Sequence, residues 1–449
     1  MKRILLFLLL LCPAAVVRAA AADSLNAPLV TYFLCALKGH PYATDFHRPL
    51  RADEVPAARA EVWRAWRQAL SAYTECPLPP VRPLAECEAA SWPLPDSLEH
   101  AAEMPFYFGS KGDSVPAAGR PLFLYLHGSG SPEQEWSTGL RICQQFDDAP
   151  SLYFIPRIPN GRGELYRWWH RSKQYAWEQL FRRAMADSAV DPNRLYCFGI
   201  SEGGYGSQRL AAFYADYLAA AGPMAGGEPL ENAPAENLGH IGFSLLTGDR
   251  DHTFGRNRLT RRTRQELDSL QKCRPEPFAH RVRLIPAHAH AIDYSPTTPY
   301  LKDFRRNPCP KTFRWENFEM DGRKRNAFYN IAVAEPADSL GRRTDYDFSI
   351  ASNRLQLRVS HVSYAVGERE PQWGIPILFH KTYEPAPHGH VTVYLDDRLV
   401  DLSRRVTFQV NDQPPHRCRL ALDFATIVES CLRYGDPERL FPAKVELDW

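Results

Sequence analysis

The stretch that decides the fold is N-R-L-Y-C-F-G-I-S-E-G-G, residues Asn193–Gly204. It reads as a short apolar strand, a tight turn of small residues and a helix that begins near Gly203. The turn has the pattern G-x-S-x-G with Ser201 at its centre, and such an elbow holds the serine in a strained conformation with its hydroxyl exposed at the end of a sheet. Gly199 and Gly203 fit because a side chain at either position would crowd the returning backbone. The pattern alone is weak, so its weight depends on what surrounds it.

The region around this elbow alternates apolar strands with helices, which is the signature of an α/β sheet. The predicted strands are Pro105–Phe108, Leu122–Leu126, Leu152–Ile155, Leu195–Ile200, Leu218–Gly222, Ile241–Thr247 and Val282–Pro286. Helices fit between them at about 133–145, 174–187, 204–215 and 257–271. The continuous apolar run Leu122–Leu126 is expected for a strand that is covered on both faces. The sequence therefore predicts an α/β domain over residues 104–305.

Residues 1–22 have the features of a secretory signal peptide. Lys2 and Arg3 precede the apolar run Ile4–Leu11, and alanines with A-x-A spacing follow. The run is too short for a membrane span, so we expect a secreted or periplasmic protein without an integral membrane segment. Cleavage would remove Lys2, Arg3 and Arg18 and lower the formal charge from +2 to −1. A nearly neutral protein gives no reason to expect a nucleic-acid partner.

The two ends of the remaining chain differ from its middle. Residues 23–103 form a predicted proline-rich leader with one helix, at about 53–73, whose apolar stripe is expected to pack on the main domain. The run 76–95 is predicted to be a connector. Residues 306–449 show short alternating segments between turn residues, which predicts an all-β, sandwich-like C-terminal domain. A short helix at 424–432 is compatible with this pattern.

Cysteine usage leaves the disulfide question open. Nine of the ten cysteines remain once Cys12 leaves with the signal peptide, and secretion would permit disulfides. The sequence-local candidates are Cys76 with Cys87, Cys273 with Cys309, and Cys418 with Cys431. Connectivity does not follow from spacing. No cysteines have metal-site spacing, and we expect neither a metal nor a cofactor.

The upstream segment L-H-G-S-G, Leu126–Gly130, closes an apolar strand and supplies a candidate oxyanion loop. An ester carbonyl becomes an oxyanion when a nucleophile attacks it, and it then needs two aimed backbone donors. The expected donors are the amide of Glu202, directly after Ser201, and the amide of Ser129.

An acid and a base follow two later strands, in the order that a serine nucleophile requires. The acid is Asp251 or Asp249 in G-D-R-D-H, and Asp251 is favoured because such acids commonly lie a few residues after the strand's glycine. The base is His288 or His290. We favour His290 because small residues flank it on both sides and allow close approach, and histidine titrates near neutral pH.

At these motifs the chain resembles the α/β-hydrolase superfamily. More narrowly, it resembles the secreted esterases grouped with polyhydroxybutyrate depolymerases and with feruloyl and acetyl-xylan carbohydrate esterases. The resemblance rests on L-H-G at 126–128, V-D-P-N-R-L at 190–195, the elbow at 199–204, G-D-R-D at 248–251, and His290. It implies an α/β-hydrolase sheet with flanking helices and a catalytic triad of Ser201, His290 and Asp251 that forms an acyl-enzyme. The chain departs from the family at Ala287-His288-Ala289, where relatives often have glycines.

The loops predict an open cleft. Only the fourteen residues 227–240 separate the sixth strand from the strand before the acid, too few for a helical cap, which suits a bulky or polymeric substrate. The rim loop Arg157–Lys173 follows a strand's carboxyl end, where α/β sites collect. Trp168 and Trp169 could stack on sugar rings or on an aromatic acyl group, and Arg162 could bind a carboxylate. Alternatively, the two tryptophans only pack the loop against the core and the arginines form surface ion pairs.

The predicted function is therefore a secreted serine esterase that acts on ester-decorated polysaccharide or related esters. A serine peptidase of the prolyl-oligopeptidase type stays open, although no β-propeller repeats precede the main domain. A catalytically silent hydrolase fold that binds surfaces or carbohydrate through its C-terminal domain also stays open. The order of serine, acid and histidine argues against the silent fold.

Overall fold

The structure is a computed structural model that describes residues 27–159, 167–334 and 342–449. The strands of its N-terminal two thirds are β1 Ala89–Pro93, β2 Glu103–Lys111, β3 Arg120–Leu126, β4 Ser151–Pro156, β5 Val190–Ile200, β6 Ala220–Met224, β7 Gly242–Gly248 and β8 His280–Ile285. The helices of the chain are α1 (residues 27–37), α2 Val55–Ala72, α3 Pro132–Gln145, α4 Arg171–Ala186, α5 Glu202–Phe213, α6 Arg256–Cys273, α7 Thr297–Lys302 and α8 Phe424–Tyr434.

The eight strands form one mixed sheet in the order β1-β2-β4-β3-β5-β6-β7-β8. Strands β3 to β8 are parallel to one another. Strand β2 lies between β1 and β4 and is antiparallel to both. Every residue of β3 and β7 is buried, as apolar strands covered by helices on both faces should be. The predicted α/β sheet with flanking helices is confirmed.

Strand β1 lies in the run that the sequence predicted to be a connector. It pairs with β2, and its Trp92 is buried with ring contacts to Phe106 and Phe154. The indole N–H of Trp92 donates to the carbonyl of Pro77 at 2.8 Å. The prediction was wrong because the prolines on either side obscured a strand of only five residues.

Helix α2 forms where the sequence predicted it, but its partner is different. Its buried Val62 and Trp66 belong to a cluster with Phe33 of α1 and with Ile427 and Val428 of α8. The apolar stripe of α2 therefore packs chiefly on α1 and α8. The sequence had predicted that it would pack on the main domain.

The C-terminal third contains two further sheets. Its strands are β9 Thr312–Asn317, β10 Ala327–Phe328, β11 Ile331–Val333, β12 Arg343–Ala351, β13 Arg354–Arg369, β14 Pro376–Pro385, β15 His390–Leu395, β16 Val406–Val410, β17 His416–Cys418 and β18 Ala443–Asp448. One sheet has the order β17-β16-β13-β12-β9, with β14 paired to β13, and the other has the order β10-β11-β15-β18. Phe318 packs on Phe213 of α5 with ring centroids 5.5 Å apart, so this region contacts the α/β unit directly. Its status as a separate domain stays a prediction.

The nine cysteines among the described residues are free thiols, so none of the three suggested disulfides is present. Cys76 and Cys431 are buried, and Cys76 lies 3.9 Å from the hydroxyl of Tyr175. Within the described ranges, no helix is both long and apolar enough to span a membrane. The predicted signal peptide, residues 1–22, lies outside the described residues.

Candidate active site

The elbow at Ser201 joins β5 to α5 in a strained backbone. Ser201 has φ 56° and ψ −114°, a conformation that residues other than glycine rarely adopt. A Cβ at Gly203 would lie 1.9 Å from the carbonyl oxygen of Leu126, and a Cβ at Gly199 would lie 2.4 Å from the carbonyl oxygen of Gly203. Both positions therefore require glycine for the reason that the sequence suggested, close approach of the backbone.

The candidate site residues follow the carboxyl ends of four parallel strands. Strand β3 ends before the loop that holds Ser129, β5 ends before Ser201, β7 ends before Asp251, and β8 ends before His290. Since these strands are parallel, their carboxyl ends lie along the same edge of the sheet. Residues that are up to 161 positions apart in the sequence are thus brought to one place.

Three of these side chains form a hydrogen-bonded row. His290 Nε2 lies 2.9 Å from Ser201 Oγ, and His290 Nδ1 lies 2.7 Å from Asp251 Oδ2. An ionised Asp251 accepts a hydrogen bond from Nδ1–H, which leaves Nε2 free to take a proton from the serine hydroxyl. The alternative base, His288, is exposed and places its Nδ1 2.8 Å from the carbonyl oxygen of Pro286.

Gly248 allows the loop that carries Asp251 and the loop that carries His290 to approach each other closely. A Cβ at Gly248 would lie 2.0 Å from the carbonyl oxygen of Ala289 and 2.3 Å from that of His288. The amide of Arg250 donates to the carbonyl of His288 at 2.9 Å, which joins the two loops. The glycine at the end of β7 therefore has a specific role in positioning that its place in the motif did not reveal.

Arg256 at the start of α6 holds the other oxygen of Asp251. Its Nη1 lies 3.0 Å from Asp251 Oδ1, and its Nε donates to the hydroxyl of Tyr205 at 2.7 Å. Burial would raise the pKa of Asp251, but the hydrogen bond from His290 and the charge of Arg256 outweigh it and lower the pKa below its usual value. Sequence reasoning missed Arg256 and Tyr205, because an arginine five residues after an aspartate carries no distinctive pattern.

The two predicted oxyanion donors lie beside the serine. Glu202 is the first residue of α5, and the amides of the first helical turn have no partner within the helix. A Cβ at Gly128 would lie 3.3 Å from Ser201 Cβ, so the loop that carries Ser129 passes close to Ser201. Ser129 and Glu202 line the same cleft as Ser201.

His127 holds the loop of Ser129 in place through hydrogen bonds to the backbone. Burial lowers the pKa of His127 to about 4, so the ring is neutral at neutral pH. Its Nδ1 lies 2.8 Å from the carbonyl oxygen of Gly128, and its Nε2 accepts from the amide of Ile158 at 3.2 Å. These contacts fix the tautomer with the proton on Nδ1 and tie two strand ends together.

The structure separates the three residues that were predicted to bind substrate. Trp168 is fully buried and donates through its indole N–H to the carbonyl of His127 at 3.0 Å. A substrate role for Trp168 is therefore wrong, since its ring packs inside the protein. Trp169 is partly exposed and lines the cleft, where the guanidinium of Arg209 lies 3.9 Å from its ring centroid. Arg162 lies outside the described residues.

The cleft at Ser201 has a volume of about 730 Å³. Its walls come from the elbow and α5, from the residues after β6, from the turn before α6 and from the C-terminal sheet. The residues that line it include Trp169, Ser201, Tyr205, Arg209, Glu228, Asn232, Phe254, Arg256, Trp373, Ile375 and Pro376. The last three belong to the turn between β13 and β14 and the beginning of β14, a contribution that the sequence did not predict.

The site can thus be compared with known proteins. No family model matches the chain. A curated relative, "Putative esterase NocK" of Nocardia uniformis subsp. tsuyamanensis, is 30% identical over 155 residues, which cover 32% of this chain and 43% of the relative. The chain therefore spans less than half the length of the curated relative that it matches.

Two solved structures are similar to part of the chain. A thermostable esterase has a TM-score of 0.39 and 18% identity and covers 50% of this chain and 64% of its own. An S-formylglutathione hydrolase from Agrobacterium tumefaciens has a TM-score of 0.34 and 16% identity and covers 48% of this chain and 91% of its own.

Proposed function

We propose that the protein is a serine hydrolase of the α/β-hydrolase type that cleaves carboxylic esters. The observation that carries this proposal is the hydrogen-bonded row from Ser201 through His290 to Asp251, with distances of 2.9 and 2.7 Å. The strained backbone of Ser201 and the partial match to a relative named as an esterase support it.

In the proposed reaction, Ser201 Oγ attacks the ester carbonyl while His290 Nε2 takes its proton. Asp251 keeps the proton of neutral His290 on Nδ1 and stabilises the imidazolium that forms. The imidazolium then gives its proton to the departing alkoxide, which leaves an acyl group on Ser201. Water attacks that acyl group with the same histidine as base, so the enzyme returns to its starting state.

The negative charge on the carbonyl oxygen would be stabilised by the amides of Glu202 and Ser129. The amide of Glu202 would donate a hydrogen bond to this oxygen. It also lies at the N-terminus of α5, where the positive end of the helix dipole favours negative charge. Since His127 is neutral and held by two hydrogen bonds, it would keep the loop of Ser129 in position without adding charge to the site.

The expected substrate is an ester attached to a polysaccharide, or a related ester, outside the cell. The described cleft suits such a substrate, since only a short 3-10 helix, Ala235–Leu238, lies between β6 and β7 and the cleft holds about 730 Å³. Secretion rests on residues 1–22 alone and stays a prediction. Membership of the polyhydroxybutyrate-depolymerase and xylan-esterase group also stays a prediction.

The test is turnover by the purified protein and by Ser201→Ala, with p-nitrophenyl acetate, acetylated xylan and aminoacyl p-nitroanilides as substrates. We expect turnover of the two esters, and a loss in kcat of about 10⁴-fold or more in the variant. Preference for the anilides would select a peptidase instead. Equal turnover by parent and variant, or none at all, would overturn the proposal.

The two histidines give a matched pair of variants for the base. His290→Ala should lower kcat about as much as Ser201→Ala, because residues of one row act as a unit. His288→Ala should retain turnover, since its ring is exposed and faces the carbonyl of Pro286. The reverse result would reassign the base.

A further inference from the structure

The β13–β14 hairpin reaches from the C-terminal sheet into the cleft at Ser201. Trp373, Ile375 and Pro376 of this hairpin line the cleft together with Ser201 and Glu202. Trp373 is 46% exposed. A large aromatic ring exposed in a cleft beside a candidate nucleophile is a ready contact surface for a ligand.

Hydrogen bonds within the turn hold Trp373 in place. The amide of Glu370 donates to the carbonyl of Ile375 at 2.8 Å, and the amide of Gly374 donates to the carbonyl of Glu370 at 2.9 Å. The carboxylate of Glu370 accepts from the amide of Trp373 at 2.6 Å. Because the turn is ordered before any ligand arrives, binding to Trp373 would cost little conformational entropy.

Contacts with the α/β unit fix the hairpin over the cleft. Glu368 forms an ion pair with Arg258 of α6. A Cβ at Gly255 would lie 3.0 Å from Glu370 Cγ and 3.2 Å from Ile377 Cδ1. The hairpin therefore packs tightly on the turn that precedes α6, the helix that carries Arg256 of the candidate site.

Phe254 completes an aromatic surface with Trp373. The two ring centroids lie 4.7 Å apart with an interplanar angle of 57°. Phe254 has φ 57° and ψ 15°, a left-handed conformation that is uncommon for a bulky residue and therefore strained. Its ring also contacts the guanidinium of Arg256 at 5.1 Å, which links the aromatic surface to the acid of the hydrogen-bonded row.

Polar groups line the same cleft as this surface. Arg209 binds both oxygens of Glu228, at 2.7 and 3.1 Å, and stacks on Trp169. Asn232 donates to the same carboxylate at 3.0 Å. A sugar ring has an apolar C–H face and a rim of hydroxyls, so it matches an aromatic surface bordered by charged donors and acceptors.

We propose that Trp373 and Phe254 bind a sugar ring of the substrate, which makes the C-terminal region part of the substrate site. The proposal deepens the proposed function, because it assigns the saccharide side of the cleaved ester to this wall of the cleft. The sugar would lie with one face on the indole, while Arg209 and Asn232, which line the same cleft and are themselves held by the buried Glu228, bind its hydroxyls. Specificity would then depend partly on Trp373, which is 172 positions from the serine.

The binding test uses the Ser201→Ala protein, which cannot consume the ligand. Titration calorimetry with xylohexaose, cellohexaose and mannohexaose should show binding of at least one oligosaccharide. Adding Trp373→Ala should weaken that binding about tenfold or more, as expected for a central aromatic contact, and Trp373→Phe should restore part of it. Tyr383→Ala is the matched control, since Tyr383 is an exposed aromatic on the same hairpin that stacks on Arg314 instead. Absence of binding, or equal losses in the Trp373 and Tyr383 variants, would overturn the proposal.

The turnover test separates this proposal from the proposed function. In the otherwise unchanged protein, Trp373→Ala should lower kcat/KM about tenfold more for acetylated xylo-oligosaccharides than for p-nitrophenyl acetate. A loss for methyl ferulate without a loss for the sugar ester would assign the wall to an aromatic acyl group and overturn the proposal. Oligosaccharide binding that depends on Trp373 in a protein without ester turnover would support this proposal while the proposed function fails.

Discussion

Two regions of the molecule pair aspartate with arginine, and they do so in opposite ways. At the candidate site, Asp251 gives one oxygen to Arg256 and the other to His290. In a buried ion cluster, defined here as Asp216, Asp436, Arg306, Arg325 and Arg439, arginines contact both oxygens of each aspartate. One oxygen of Asp251 can therefore interact with a proton on His290. In the buried ion cluster, arginines bind both oxygens of Asp216 and of Asp436.

The buried ion cluster connects the α/β unit to the C-terminal region. Asp216 follows α5, Asp436 follows α8, and the side chains of Arg306 and Arg439 are almost completely buried. Burial would raise the pKa values of Asp216 and Asp436, but the adjacent arginines outweigh it and hold both below the usual range. The same two residue types thus form a fully paired cluster between two parts of the fold and, at the candidate site, leave one carboxylate oxygen to a histidine.

The largest effect on kcat should come from removing the charge of Asp251, which contacts His290. Asp251→Asn keeps the size of the side chain but favours the wrong tautomer of His290, and kcat should fall about 10⁴-fold. Asp249→Asn is the control and should stay within about tenfold of the parent. The measurement is steady-state hydrolysis of p-nitrophenyl acetate. A larger loss in the Asp249 variant would make Asp249 the acid and remove Asp251 from the comparison.

Breaking the buried ion cluster should instead affect folding. Asp436→Asn removes the charge partner of Arg306 and Arg439, and the free energy of unfolding should fall by about 3–5 kcal/mol. Denaturant unfolding followed by tryptophan fluorescence measures this change. Asp53→Asn, which breaks an exposed pair with Arg51, should leave unfolding unchanged. Folded Asp436→Asn protein should retain the parent kcat, and a loss of kcat would mean that the cluster also serves the site.

The part of the site that could be predicted depends on short patterns at strand ends. Ser201, Asp251 and His290 each follow an apolar strand within five residues, and parallel strands bring such positions to one edge. Local sequence and sheet geometry were therefore sufficient to place the serine, the acid loop and the histidine loop together. Alanines flank His288 as well as His290, so the small residues do not distinguish the two histidines, and the contact of His290 with Ser201 comes from the structure.

The rest of the site depends on contacts that local patterns do not encode. Trp373 is 172 positions beyond Ser201, and only the packing of the β13–β14 hairpin brings it to the cleft. Trp168 and Trp169 are adjacent and chemically alike, yet one is buried and the other lines the cleft. The buried Trp168 donates to the carbonyl of His127, a partner 41 positions away that no local pattern indicates. The pairing of α2 with α8 was hidden for the same reason of distance.

Acid should distinguish the two regions by the pH at which each loses stability. His127 has a pKa of about 4 in the folded protein and about 6.5 when unfolded. The unfolded state therefore takes up a proton first, and the free energy of unfolding should fall by about 3 kcal/mol between pH 6.5 and 4. Asp216 and Asp436 have lowered pKa values, so their contribution is present above about pH 4 and is lost only as the pH falls further.

Denaturant unfolding at a series of pH values measures both contributions. His127→Asn should remove most of the slope between pH 6.5 and 4 and leave the loss below pH 4 in place. Asp436→Asn should do the reverse. Equal slopes in the parent and His127→Asn would show that the buried imidazole does not limit stability in mild acid.

The smallest effect should come from Arg256, which contacts the acid without contacting the base. Arg256→Met removes the cation that helps to lower the pKa of Asp251. With p-nitrophenyl acetate, kcat should fall only about tenfold, because Asp251 loses one of its two supports and keeps its contact with His290. Arg256→Lys should restore part of kcat, since a lysine supplies the charge but cannot reach both Asp251 and Tyr205 in the same geometry. An unchanged kcat in Arg256→Met would mean that Arg256 supports the fold alone, and that the contact with His290, without the arginine, distinguishes Asp251 from the aspartates of the buried ion cluster.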